Sequence, residues 1–224
     1  TPELIVSVGV VLSYIEETQK ISNAHTKEIR VYSKEEYLEL DLNTRRNLEL
    51  VESMRNKEKR GSLLWVLDKT KTSMGARLLR SWILRPLIDP VAINKRQNAV
   101  SQILKNQRAN DELGELLSGV LDLERLVARA IYGSANAKDL RAICNSMLVL
   151  PQIKSIISSL SGNAFTEIVK NFDTLDDICE LLDRAIDDNP PFQVREGGII
   201  KDGYDADVDY YRSIKDGGTD IMAS

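Results

Sequence analysis

Leu67-Asp68-Lys69-Thr70-Lys71-Thr72-Ser73-Met74-Gly75-Ala76-Arg77-Leu78-Leu79-Arg80-Ser81-Trp82, closed by Arg85-Pro86-Leu87, decides how this chain is read. The Thr72 hydroxyl can accept a bond from an unpaired first-turn N–H, so a helix starts there. Leu78, Leu79, Trp82 and Ile83 share one face, with Arg77 and Arg80 off it. Gly75 marks a close contact by a small residue. Pro86 ends the helix, because it lacks an N–H and disfavours helical geometry at Arg85. Nothing in the run is catalytic chemistry. It is the pattern of a helix that docks against other parts of a larger machine.

Helices continue on both sides of this run. Upstream, Ile5, Val8, Leu12 and Ile15 keep helical spacing, and the stripe fades near Lys20. Ile29-Arg30-Val31-Tyr32 and Leu38-Glu39-Leu40-Asp41-Leu42 alternate apolar and polar, which is a strand pattern. Arg55 to Arg60, ending in Gly61, is a basic loop, and Ser62 caps the apolar segment Leu63–Leu67. Downstream, Asp89-Pro90 opens a helix with proline at its first position. Ile93, Arg96, Gln97, Val100 and Leu104 follow at three- and four-residue steps. Leu123, Leu126, Val127, Ala130 and Ile131 make the cleanest stripe, with Asp122, Arg125 and Arg129 aligned on its polar side. Leu140, Ile143, Cys144 and Met147 begin another helix, which Pro151 interrupts before Ile153, Ile156, Ile157 and Leu160. Ser161-Gly162-Asn163 is a turn. Thr174-Leu175-Asp176-Asp177 has the form of a capping box with Asp in place of Glu, ahead of a stripe of Leu175, Ile178, Leu182 and Ala185. Asn189-Pro190-Pro191 breaks the pattern, Glu196 to Tyr204 is a glycine-punctuated loop, and a last helix starts near Asp205. The fold class is therefore mainly α: an irregular multi-helix core domain with at most a small extended or two-stranded element near residues 29–42. No repeat of fixed period is visible.

At 224 residues the chain can bury roughly 70% of its unfolded surface without staples. Its net charge of −4 neither predicts nor excludes a nucleic-acid surface, since local patches outweigh the sum. Cys144 and Cys179 both fall in apolar helical stretches and read as buried, reduced thiols. One histidine, His25, and no Cys/His cluster argue against a transition-metal site. No apolar run reaches the roughly 18–20 residues that span a bilayer, and no basic segment precedes Leu4–Leu12, so neither a membrane anchor nor a signal peptide is expected. A start at Thr1 and an end at Ala223-Ser224 read as a piece of a longer polypeptide.

Tests for chemistry come out negative. A phosphate-binding loop needs a lysine after its glycines, whereas Gly203 is followed by Tyr204-Asp205. Asp205, Asp207 and Asp209 imitate the opening of a calcium loop, but Tyr210 stands where glycine is needed and Asp216 where Glu is needed. These acids read as the first turn of a helix, favourable with its dipole. Paired carboxylates such as Glu16/Glu17, Asp176/Asp177 and Asp187/Asp188 read as solvated faces, and His25 alone does not make a triad. Two basic clusters, Arg55/Lys57/Lys59/Arg60 and Arg77/Arg80/Arg85, could meet phosphates, yet no helix-turn-helix or zinc module accompanies them.

Taken together, the motifs resemble one family. Asp41-Leu42-Asn43-Thr44-Arg45-Arg46-Asn47-Leu48-Glu49-Leu50 is similar to the opening of the core (lever) domain, domain III, of bacterial MutS mismatch repair proteins. The Leu67–Leu87 run, Arg96-Gln97 with Ala99-Val100, and Asp122 to Leu126 with Arg129 follow in the family's order. Asp139-Leu140, Pro190-Pro191, Glu196 to Tyr204 and Asp209 with Arg212 complete the series. The resemblance implies a connector-to-core junction helix over 1–28, a helical core domain over 29–204, and a truncated start of an outgoing lever helix over 205–224. It also implies that the mismatch-reading, clamp and ATPase parts lie outside this chain, so the chain itself has no catalytic, cofactor-binding or metal residues. ATP and Mg²⁺ are expected only in the parent. The parent is expected to be a cytoplasmic, nucleoid-associated homodimer that meets mismatched DNA and other repair proteins, with no membrane role.

The functional expectation is a structural, signal-transmitting domain. Its candidate coupling seam comprises Arg77, Asp122, Glu124, Arg125 and Arg129, with Arg77 reaching from the Thr72–Leu84 helix toward the Asp122–Arg129 helix. Charge reversal at Arg125 is expected to impair ATP-linked DNA release while sparing the fold. Two other readings stand beside it: a stand-alone helical protein–protein adaptor, and a small enzyme using the acidic C-terminal region.

Overall fold

The computed structural model describes residues 2–19 and 36–223. The chain divides into two units, Thr1–Glu36 and Tyr37–Ser224. In the first, helix α1 (Pro2–Gln19) takes up the expected stripe of Ile5, Val8, Leu12 and Ile15. Lys20, His25, the expected boundary near residue 28 and the Ile29–Tyr32 half of the strand signal lie outside the described residues. In the other half, residues 38–41 lie outside any helix while Leu42 already begins one, and the pairing there is with a segment distant in sequence. Tyr37 bridges Leu87 in antiparallel sense, and the Leu38 N–H donates to the Pro86 carbonyl at 2.8 Å.

The second unit holds α2 (Leu42–Asn47), α3 (Leu63–Leu67), α4 (Ser73–Leu84), α5 (Pro90–Lys105), α6 (Gln107–Ser118), α7 (Leu123–Ile131), α8 (Ala137–Leu148), α9 (Leu150–Ser159), α10 (Asn163–Asn171), α11 (Asp176–Ala185) and α12 (Ala206–Ala223). Side chains close the unpaired N–H groups at most of the starts, as an N-cap requires. Asp41 takes the Thr44 N–H, Ser62 that of Trp65, Thr72 that of Gly75, and Asp89 those of Val91 and Ala92. Two apolar clusters organise the unit. One joins Ala109 and Leu113 of α6, Val120, Ile153 of α9, Leu160 and Phe165 of α10. The other joins Ile143, Cys144 and Met147 of α8 to Cys179 of α11. Leu123, the first residue of α7, packs against both.

Three local expectations need correction. In α5 the packed face carries Ala99 and Ile103, whereas Val100 and Leu104 are 57% and 71% exposed. The reason is that α6 and α10 both pack on α5, and α6 follows without a strong break: Asn106 both ends α5 and caps α6. Apolar residues occupy two faces of α5, and these two helices select one of them. In α11 the stripe runs through Cys179 instead of Ile178, which is exposed. The capping box at Thr174 does not form. Leu175 adopts left-handed geometry (φ 54°), its N–H goes to Asp173, and the Thr174 hydroxyl donates to Asp176. A complete box forms instead at α8, where Asn136 and Asp139 bond each other's backbone N–H at 2.9 Å.

Candidate interhelix seam

The seam begins with the turn before α7. Ser146, fully buried in α8, accepts the Leu121 N–H at 3.1 Å and donates to the Ala142 carbonyl at 2.8 Å. This pins the approach to α7. Asp122 then caps the helix, its Oδ1 accepting the Arg125 N–H at 3.4 Å. Lone pairs remain on both oxygens for a cation, and Arg77 of α4 supplies it. Arg77 Nη1 and Nη2 donate to the two Asp122 oxygens at 2.8 and 2.7 Å, the fork-on-fork geometry that guanidinium and carboxylate share. Arg77 Nε and Nη2 also donate to Glu124, one helical step beyond Leu123. The Arg77 hydrogen bond, more than any other influence, holds the Asp122 carboxyl below the usual carboxylate range, and Asp122 in turn raises the guanidinium.

Arg125 and Arg129 are placed differently. The Arg125 side chain is exposed and makes no ion pair with any described residue. Arg129 turns toward α8 and bonds Asp139 at 2.9 Å, a carboxylate whose side chain is only 11% exposed. The five candidate residues therefore form two joints, α4–α7 through Arg77 and α7–α8 through Arg129, with Arg125 on the outside.

Further joints carry no local sequence signal. Arg96 stacks its guanidinium 3.8 Å from the Trp82 ring centroid, tying α5 to α4. Lys59 pairs with Asp68, which also accepts the Thr70 hydroxyl at 2.6 Å. These bonds, Lys59 first, hold the Asp68 pKa at about 2. Arg141 of α8 meets Asp183 and Asp188 at 2.8 Å each. Both basic clusters thus spend a member on internal carboxylates, Lys59 on Asp68 and Arg77 on Asp122. The acids at the start of α12 are also engaged: Asp205 caps Asp207 and Val208, and Asp209 accepts the Gly203 N–H. Among the described residues no cluster of His, Cys, Asp and Glu is arranged to hold a metal, and no helix is long and apolar enough to cross a membrane. A broad apolar surface also stands open on α3 and α4. Leu63, Trp65, Val66, Leu67, Leu78 and Trp82 are all exposed beyond 40%.

Comparison with known proteins places this architecture. The family model described as MutS domain III matches residues 43–218. The chain belongs to the MutS domain III family. It is 45% identical over 216 residues to the DNA mismatch repair protein MutS of Ruminiclostridium cellulolyticum, covering 96% of the chain and 25% of that relative. The MutS of Acetivibrio thermocellus is 47% identical over 210 residues, with 93% and 24% covered. That of Caldanaerobacter subterraneus subsp. tengcongensis is 46% identical over 221 residues, with 99% and 25% covered. The chain thus spans about a quarter of the length of these bacterial relatives.

Proposed function

We propose that this chain is the structural, signal-transmitting core of a DNA mismatch repair ATPase, linking mismatch- and clamp-type DNA-binding domains to the ATPase, and is itself non-catalytic. The observation that carries the reading is the Arg77 fork. It fastens α4 to the start of α7 across 45 residues of sequence, beside Leu123, which packs into both cores. A displacement of α4 is thereby delivered to a residue that both cores share, and close-packed interiors transmit displacement. The open apolar face of α3 and α4 suits contact with other domains. On this reading ATP and Mg²⁺ bind outside the chain, and the parent is a cytoplasmic homodimer acting with other repair proteins.

The test is nucleotide-dependent release from mismatched DNA by the full-length protein. Arg77→Glu is expected to slow release strongly, and adding Asp122→Arg is expected to recover part of it. Arg125→Glu tests the outer side of the same helix and is expected to impair release through lost contact with another domain. Unchanged release in the Arg77 variants would count against the reading. So would tight, mismatch-selective DNA binding by the 224-residue chain alone.

A further inference from the structure

Residues 199–203 are held along two edges by different partners. On one edge, the Asp187 N–H donates to the Ile199 carbonyl at 2.8 Å and the Lys201 N–H to the Ala185 carbonyl at 2.9 Å, around an antiparallel Ile186–Ile200 bridge. Lys201 Nζ then reaches Asp188 at 3.0 Å and Asp183 at 3.8 Å. Arg141 of α8 holds the same two carboxylates, with its side chain only 12% exposed. On the other edge, Arg212 of α12 donates to the Ile200 carbonyl at 2.6 Å and pairs with Asp202. The Gly203 N–H donates to Asp209 Oδ2 at 2.8 Å, and its φ of +80° is one that side-chain-bearing residues rarely adopt. These five residues thus carry bonds to α11 and the segment just after it on one side, where Arg141 of α8 shares the carboxylates, and to α12 on the other.

We propose that residues 199–203 form a coupling plate, pinned by Lys201 to the α8–α11 pair and by Arg212 to α12, so that the direction of α12 and the closure of the Arg141–Asp183–Asp188 cluster change together. A tilt of α12 pulls Ile200 and Asp202, and Lys201 lies between them in the chain. The Asp188 carboxylate shared by Arg141 and Lys201 makes the α8 side a three-way joint, and desolvation makes an unpaired Arg141 costly. Coupling of this kind needs an element whose arrangement both ends bias, and the bonds on its two edges give residues 199–203 those two ends. The inference rests on the proposed signal-transmitting role and names a route by which α12 is coupled to the rest.

Amide hydrogen exchange of the full-length protein, read by mass spectrometry, tests it. The Lys201 ammonium pairs with Asp183 and Asp188, on the far edge from α12, yet Lys201→Met is expected to speed exchange in the first turns of α12, residues 206–212, by roughly tenfold or more, as expected for one cooperative opening unit. Arg212→Met is expected to do the same at residues 185–188. Lys201→Arg, which keeps a cation opposite Asp188 and leaves Arg141 its partner, should keep exchange slow at 206–212. If Lys201→Met loosens only residues 183–201 and leaves α12 at the parental rate, the two edges are independent and the plate is refuted. Should Arg212→Met not fold, Arg212→Gln keeps a polar side chain but loses the charge that pairs with Asp202; parental exchange at 185–188 in that variant also refutes the plate. Uncoupled exchange with Arg77-dependent release would reject the plate alone. Coupled exchange with Arg77-independent release would reject the signalling role alone.

Discussion

At the residue scale, Gly75 shows how a single missing methyl group is fixed by its neighbour. A Cβ there would lie 3.0 Å from the Thr72 hydroxyl oxygen and 3.6 Å from the Thr70 Cβ. That hydroxyl is also the acceptor of the Gly75 N–H, at 3.0 Å. It cannot retreat from a new methyl without surrendering the cap. Thr72→Ala is expected to cost about 1 kcal/mol of stability, the usual value of an N-cap hydroxyl. Gly75→Ala is expected to destabilise the parental protein. In the Thr72→Ala background the same change is expected to be stabilising, because alanine is favoured over glycine by about 0.8–1.0 kcal/mol within a helix. Urea denaturation of the four proteins measures this change of sign.

At the scale of elements, the link from α3 to α4 is built from charge. Asp68 accepts from Lys59 and from the Thr70 hydroxyl and N–H, so one ionised carboxylate shapes the whole connection. Its pKa lies at about 2 in the fold, against an unfolded value of about 3.9. The stabilisation from this shift is fully present above the unfolded value and is lost as pH falls through the folded one. Stability measured between pH 4 and pH 2 is expected to decline less steeply in Asp68→Asn than in the parental protein, with an added offset at neutral pH. The starts of α3, α4 and α5 were legible because their caps are local: Ser62, Thr72 and Asp89 lie within three residues of the N–H groups they serve, whereas Asp122, read as part of the polar face of α7, is its cap. The phase of α5 was not legible, because neither Val100 nor Ala99 reveals where α6 lies. The Arg77 contact with Asp122 and Glu124 was accessible to charge complementarity between two recognised helices. The Arg141–Asp183–Asp188–Lys201 cluster was not, since three segments far apart in sequence must meet before its charges have partners.

At the scale of the whole molecule, the second unit is two cores in series, with α7 touching both and α8 lying at the centre of one. Ion pairs then step along its elements: Arg77 to Asp122, Arg129 to Asp139, Arg141 to Asp183, Lys201 to Asp188 and Arg212 to Asp202. Each has one member whose side chain is less than a third exposed, which shields it from full solvent screening. Cys144 of α8 has no exposed surface, and its thiol faces the Cys179 carbonyl of α11 at 3.7 Å. Burial pushes the Cys179 thiol up to about 11. Both sulfurs are buried between α8 and α11, so a reagent reaches them only when the two helices separate. The pair is therefore a native stopwatch for the separation of these helices. An aromatic disulfide reagent is expected to consume both thiols in one slow phase that accelerates with urea. Two well-separated phases would instead record α11 peeling away before the rest of the unit opens.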